Sequence, residues 1–307
     1  MLILAENSVY LTDDTTEPLQ PEVFQENVRS RCACKGFLAA AVAYDNGTID
    51  IITNGASQCV QTGIDKTITC MDVLREDPVE LLIGTASANL FHLLQGGTAK
   101  SIDTFGSLAC RSDWYTPWGG PPAVRSIAHA DNHVYADIHV GSVMHSSDRG
   151  NSWEPVVPDL HEDVHQVATC NAAPERVYVN TADAVFVSVD RGQSWKHSAD
   201  GLPIRYGRAI AVHPDDPDCL LASFSKGPHN DVSGQLYRSD SGGNSWTHVT
   251  DGFPVATKHN IDTFHLGFSI DGKAWAVIER RLYTSANRGV SWTVAWEAPD
   301  PILAIAC

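Results

Sequence analysis

The sequence predicts an all-β chain, one domain over residues 1–307, folded as a seven-bladed β-propeller whose ring is closed by pairing strands from its two ends. Three observations predict it. A template of Ser, Asp, Gly, Ser and Trp recurs four times from residue 146 onward. Short runs rich in β-branched residues, separated by turn signals, group in fours around each recurrence. The two ends carry one strand-like run and three strand-like runs, which complete each other as a last group.

Taken in chain order, residues 1–5, 8–12 and 22–25 read as three strands without an inner partner. The next group has strands at 28–33, 37–43, 48–53 and 57–61, with Asp45-Asn46-Gly47 as a turn. Another falls at 67–73, 79–85, 88–94 and 100–105. From there each group carries one template copy. Strands at 124–129, 133–138, 142–147 and 152–157 surround Ser146, Asp148, Gly150, Ser152 and Trp153. Strands at 164–169, 176–181, 184–189 and 194–198 surround Ser188, Asp190, Gly192, Ser194 and Trp195. Strands at 207–212, 219–224, 235–240 and 245–249 surround a looser copy with Ser241 at the Asp position. The last full group, 262–268, 273–279, 281–286 and 291–296, has Asn287 there. Residues 302–305 then supply the inner strand missing at the start, and joining the ends removes two exposed sheet edges.

The physics of the template is that of a tight turn between strands. Its Asp accepts backbone N–H bonds inside the turn, its Gly supplies a positive φ, and its Trp buries a ring where the next strand begins. These residues resemble the Asp-box (BNR) repeat of β-propellers, found in sialidases and in propeller assembly factors of photosystem II. The resemblance implies the propeller fold and assigns the box a structural part away from the ligand face. No Arg-Ile-Pro element of the sialidase kind stands at the first blade; Pro203-Ile204-Arg205 has the wrong order and place.

Composition narrows the partners. The chain has 21 Lys+Arg against 37 Asp+Glu and a formal net charge of −16, with no basic stripe to neutralise phosphates, so nucleic acid and anionic membrane are not expected. No apolar run approaches the roughly 20 residues of a membrane helix. With no basic leader in Met1-Leu2-Ile3-Leu4-Ala5-Glu6, the eight cysteines are expected as free thiols and the protein as cytoplasmic. Cys32-Ala33-Cys34 alternates faces on a strand and reads as packing; the sequon Asn46-Gly47-Thr48 reads as idle in that setting.

Inner strands of a propeller line the channel, and ligands meet their starting ends. Aligning Val124-Arg125-Ser126-Ile127 with Val164-His165-Gln166-Val167, Gly207-Arg208-Ala209-Ile210, Val28-Arg29-Ser30-Arg31 and Ile261-Asp262-Thr263-Phe264 places Leu303, Arg29, Thr69, Arg125, His165, Arg208 and Asp262 around one mouth. Guanidinium forks suit carboxylate or phosphate, so a small anionic organic ligand is expected there. Three long segments fall on the same face: 106–123 with Trp114, Tyr115 and Trp118, 225–234 with Lys226 and His229, and 250–260 with Lys258 and His259. Their aromatics would cover a ligand or plug the mouth.

His165, His139 and Tyr206 are the candidate proton carriers, and a hydrolase, lyase or isomerase with an Arg clamp and His acid/base is the enzymatic expectation. Converging histidines would also suit a divalent metal, the one cofactor the sequence leaves open. His161-Glu162-Asp163-Val164-His165 matches a zinc-protease pattern that works on a helix, whereas here it runs into a strand. The alternative from another class is a non-catalytic assembly or interaction scaffold.

Overall fold

The computed structural model describes residues 1–156, 160–229 and 231–307. Val157, the end of the strand expected at 152–157, and Asn230, within the loop expected at 225–234, lie outside the described residues. Seven four-stranded antiparallel sheets are arranged as a ring. Blade 1 begins with Ser30–Lys35, blade 2 with Ile68–Glu76, blade 3 with Val124–Ala130 and blade 4 with Val164–Thr169. Blade 5 begins with Tyr206–His213 and blade 6 with Leu266–Phe268. Blade 7 takes Ile302–Ala306 as its inner strand and pairs it with Leu2–Ala5, followed by Ser8–Leu11 and Glu22–Glu26. The expected closure is therefore the observed one. Among the described residues no helix is long and apolar enough to cross a membrane, and all eight cysteines are free.

The core lies between blades, as it must when each sheet has two faces to cover. Ile49 and Ile51 of blade 1 pack with Leu81 and Ile83 of blade 2; Tyr178 of blade 4 packs with Leu220 and Phe224 of blade 5. Fully burying side chains of this size stabilises by about 1.5–3 kcal/mol each relative to exposure.

The inner strands of blades 1 to 5 each start with a β-bulge. The register shifts between Ser30 and Cys32, Ile68 and Cys70, Val124 and Ser126, Val164 and Gln166, and Gly207 and Ile210. A bulge leaves an unpaired residue whose side chain is re-aimed. From blade 3 to blade 5 the second strand fills the space opposite with a polar group. Ser126 Oγ donates to the Asp137 carboxylate and accepts the Val167 N–H of the next blade at 2.9 Å. Asn180 Nδ2 donates to Ala209 O at 2.7 Å, and Ser223 Oγ accepts the Ala209 N–H at 2.9 Å while donating to Ile261 O at 2.7 Å. Gly207 has no Cβ for a reason: one would collide with the Asn180 amide.

Several expected strands are shorter than their sequence limits: among the described residues those at 152–157 and 245–249 reduce to Glu154–Pro155 and Thr247–His248, and two more change course. The run expected at 100–105 stops at Lys100–Ser101 and turns into the helix Asp103–Gly106, because that turn drives Phe105 into the core against Trp114 and Trp153. The inner strand expected at 262–268 begins only at Leu266. Residues 262–265 form a turn closed by His265 N–H on Asp262 O at 2.9 Å, with Phe264 at φ +64°.

The Asp-boxes behave as their chemistry requires. Asp190 accepts the N–H and hydroxyl of Ser194 at 2.9 and 2.5 Å and the Ser188 hydroxyl at 2.7 Å, while Gly192 sits at φ +88°. Asn287 reproduces most of this by accepting from Ser285 and Ser291 N–H and donating to the Ser291 hydroxyl. Ser241 is too short, and keeps only the Ser245 N–H at 3.1 Å and long hydroxyl contacts. Asp190→Ala is expected to destabilise by about 1.5–3 kcal/mol, the range for hydrogen bonds to a charged group. Ser241→Asp is expected to raise the chemical-denaturation midpoint, and an unchanged or lower midpoint would count against this account of the box.

Candidate functional site

Three bulge-borne groups meet on one side of the channel mouth. Arg125 Nη1 donates to Val164 O at 2.8 Å and lies 3.3 Å from Asp163 Oδ1. His165 is 1% exposed; its Nδ1 is 2.5 Å from Gly207 O, and its Nε2 is 3.2 Å from Asp163 Oδ1 and 3.4 Å from the Tyr206 hydroxyl. Arg208 sits 5.6 Å from the Tyr206 ring centre, and its Nε lies 3.3 Å from Asp262 Oδ1. That last contact is close enough for an ion pair but not aligned as a hydrogen bond, so Nε is buried without a hydrogen-bond partner among the described residues. His139 stands on the neighbouring turn, its N–H on Ala123 O at 3.0 Å.

Electrostatics sorts these groups. Burial would raise the Asp163 pKa, but the His165 hydrogen bond and the charges of His165 and Arg125 outweigh it and hold the carboxyl at about 2. Both nitrogens of His165 face acceptor oxygens, which favours the imidazolium. Burial is the larger influence and, with Arg125, keeps its pKa below the usual histidine value. Burial keeps the hydroxyl of Tyr206, 3.4 Å from Nε2, protonated. Burial and Arg125 push His139 down to about 4, so it is a neutral acceptor at pH 7.

The turn at 262–265 lies just inside. Thr263 Oγ1 donates to His165 O at 3.2 Å, and Phe264 packs against residues of blades 2 and 3 and also of blades 7 and 1. A ring touching opposite walls lies across the channel.

Several expected placements change. Arg29 is not equivalent to Arg125: the bulge of blade 1 falls at Arg31, two residues on, and that guanidinium pairs with Asp45. Arg29 instead lines a cavity of about 460 Å³ with Gln25, Tyr44, Asp50 and Cys59 between blades 7 and 1. Trp114 does not cover a ligand; it is 8% exposed in the core, with the Arg111 guanidinium 4.9 Å from its ring. Tyr115 and Trp118 are exposed, and Trp118 meets His229 with ring centres 4.8 Å apart. The 106–123 loop thus reaches from blade 3 to blade 5 across blade 4, which carries His165. Lys226, Lys258 and His259 stay exposed while their backbones knit the two remaining loops together, Lys226 N–H on Val232 O and Val232 N–H on Lys258 O. Among the described residues no three or more His, Cys, Asp or Glu side chains converge as a metal ion requires. The His161–His165 segment is a turn entering a strand, with His161 Nδ1 accepting the Asp163 N–H at 3.0 Å.

Two carboxylates at the site escape the sequence patterns. Asp163 immediately precedes an inner strand, the only signal it offers. Asp137 is opposite a bulge, fully buried, with Oδ2 unpartnered among the described residues. Burial pushes its pKa up to about 7 despite the Ser126 hydrogen bond and Arg125. Because the folded value is above the unfolded one of about 3.9, the native state holds the extra proton between them, and stability falls as pH rises from about 4 to 7. Asp137→Asn, the side chain blade 4 uses at Asn180, is expected to flatten that decline and to be more stable than the parent by roughly 1–3 kcal/mol at pH 8. Parallel pH slopes for the two proteins in denaturant titrations would contradict this.

Comparison with known proteins agrees with this architecture. Residues 141–256 match the Sortilin-Vps10 family (sortilin, neurotensin receptor 3). A xyloglucanase of Hypocrea jecorina (strain QM6a) is 26% identical over 144 residues, 42% of this chain and 17% of that one. Among solved structures, the GH74 xyloglucanase of Xanthomonas campestris superimposes with a TM-score of 0.74 at 16% identity, over 96% of this chain and 52% of its own. YCF48 from Cyanidioschyzon merolae superimposes with a TM-score of 0.62 at 15% identity, over 89% and 86%. The chain spans about half the length of the Xanthomonas enzyme. The protein is a seven-bladed β-propeller built on Asp-box repeats.

Proposed function

We propose that the protein binds a small carboxylate-bearing organic ligand at the channel mouth, with Arg208 as the anchoring group. The observation that carries this is the Arg208 guanidinium: largely buried, its Nε without an aligned acceptor among the described residues, and facing Asp262, which is 46% exposed and has its Oδ1 on the Thr263 N–H. A planar carboxylate satisfies such a fork bidentately. Arg125 is committed to Val164 O and Asp163, so it contributes charge and shape. Tyr206 supplies a protonated hydroxyl, and Trp118 with His229 supplies an apolar rim. Lys226 adds an exposed positive charge on the loop that carries His229.

Binding is favoured over turnover. A proton carrier works best with a pKa near the operating pH. His165 is enclosed and engaged at both nitrogens, and His139 at about 4 is a weak base. A second reading, hydrolysis of a glycoside, draws its support from the xyloglucanase similarity.

A thermal-shift panel of mono- and dicarboxylates tests the first reading. A ligand at about 100 times its Kd stabilises by about 2.7 kcal/mol. The parent is expected to rise in Tm with at least one member, and Arg208→Ala to lose that rise while Arg208→Lys keeps part of it. Equal ligand shifts in parent and Arg208→Ala would refute the site. No shift with any acid, and no release of sugar from xyloglucan, would favour the non-catalytic scaffold.

A further inference from the structure

A second concentration of titratable groups lies away from the mouth, in the groove between blades 3 and 4. A cavity of about 530 Å³ is lined there by His133, His145, Glu154, Arg191 and Gln193. The two imidazoles are nearly coplanar in orientation, 4° apart, with His133 Nδ1 2.8 Å from His145 Nε2. The other nitrogen of His145 is 3.5 Å from Glu154 Oε1, and Tyr135 stacks on the same ring at 5.0 Å. One proton arrangement serves the whole chain. His145 Nδ1–H points to the carboxylate, His145 Nε2 accepts from His133 Nδ1–H, and His133 Nε2 is left as the open end. That end is an acceptor when neutral and a donor after taking one proton.

Arg191 is the partner that makes this more than a buried pair. The same box position holds Arg149 and Arg288 in blades 3 and 6. Arg149 Nε donates to Asn132 Oδ1 at 2.8 Å, and Arg288 Nη1 lies 2.8 Å from Asp216 in the preceding blade. Arg191 reaches toward the corresponding Asp131 but stops at 4.0 Å, and its Nε is buried with no partner among the described residues. Two of three equivalent arginines are tied down; the third faces a cavity beside a protonatable chain.

We propose that this cavity is a proton-coupled binding site for a small tetrahedral oxyanion of the sulfate or phosphate class. In the free protein, burial, the mutual proximity of the imidazoles and Arg191 hold the pair neutral at pH 7. An anion on the Arg191 fork offsets that positive charge and favours a proton on His133 Nε2, which then donates to the anion. The remaining groups facing the pair are Glu154 and Asp131, both largely exposed, the neutral Tyr135, and Asp190, which is engaged within its own box. Exposed acids are screened by solvent and oppose an anion weakly.

Sulfate is the informative probe, because its charge does not change between pH 5 and 8. Isothermal titration in two buffers of different ionisation enthalpy is expected to show uptake of close to one proton. Affinity is expected to rise up to tenfold for each unit of falling pH. Arg191→Gln is expected to weaken binding at least tenfold and Arg191→Lys less so, with Arg149→Gln and Arg208→Ala unchanged. His133→Gln is expected to retain weak binding but lose the proton uptake. Thermal midpoints of the variants establish that each is folded. The proposal fails if neither sulfate nor inorganic phosphate binds at millimolar concentration, if Arg191→Gln binds as the parent does, or if proton uptake survives in His133→Gln. Loss of binding in Arg208→Ala alone would place the anion at the channel mouth.

Discussion

Bulges at the entry of the inner strands govern both the mouth and the contacts between blades. One unpaired residue re-aims a side chain toward the mouth and opens a gap in the ladder behind it. In blades 3 to 5 that gap holds Asp137, Asn180 and Ser223, whose neighbourhoods reach into the next blade through Val167 N–H, Ala209 O and Ile261 O. Blade-to-blade contact in a propeller is otherwise mainly apolar and indifferent to small slides. Directional bonds at this one level fix the height of blades 3 to 5 against the blade that follows each. Arg125, His165 and Arg208 come to a common level because the polar contacts under them do.

Charge at the mouth is arranged as alternating pairs. Arg125 with Asp163 and Arg208 with Asp262 neutralise one another, which lets four ionic side chains share a small volume in a chain of net charge −16. Burying an unpaired guanidinium would be prohibitive. The two pairs differ in one respect that matters for ligands. Asp163 is enclosed by His165 and Arg125, whereas Asp262 faces solvent and can yield its place at lower cost.

The ring and its closure were legible in the sequence because their signals are local. A box residue makes its bonds within four positions of itself, so spacing alone displays it. Strand limits came out close wherever both flanking turns carried Gly or Asn. The mouth was less legible. A bulge has no composition of its own, and with a period of two, Val28-Arg29-Ser30 and Ser30-Arg31-Cys32 fit the same alignment; only the pairing of Ser30 with Tyr44 and Cys32 with Ala43 separates them. Trp114 looked like part of a lid because its partners, Phe105, Met144 and Trp153, sit on three other segments. Asp137 and the His133–His145 pair depend on contacts across strands that no one-dimensional pattern records.

Phe264 has a consequence for how the ring is tied together. Its backbone is held by Gln166 of blade 4 on one side and by the Ile305 N–H of blade 7 on the other, while Thr263 beside it bonds His165 O. The turn at 262–265 therefore acts as a brace between blades that are not neighbours in the ring. A change that loosens this turn is felt at once beneath His165 and at the strand that closes the ring.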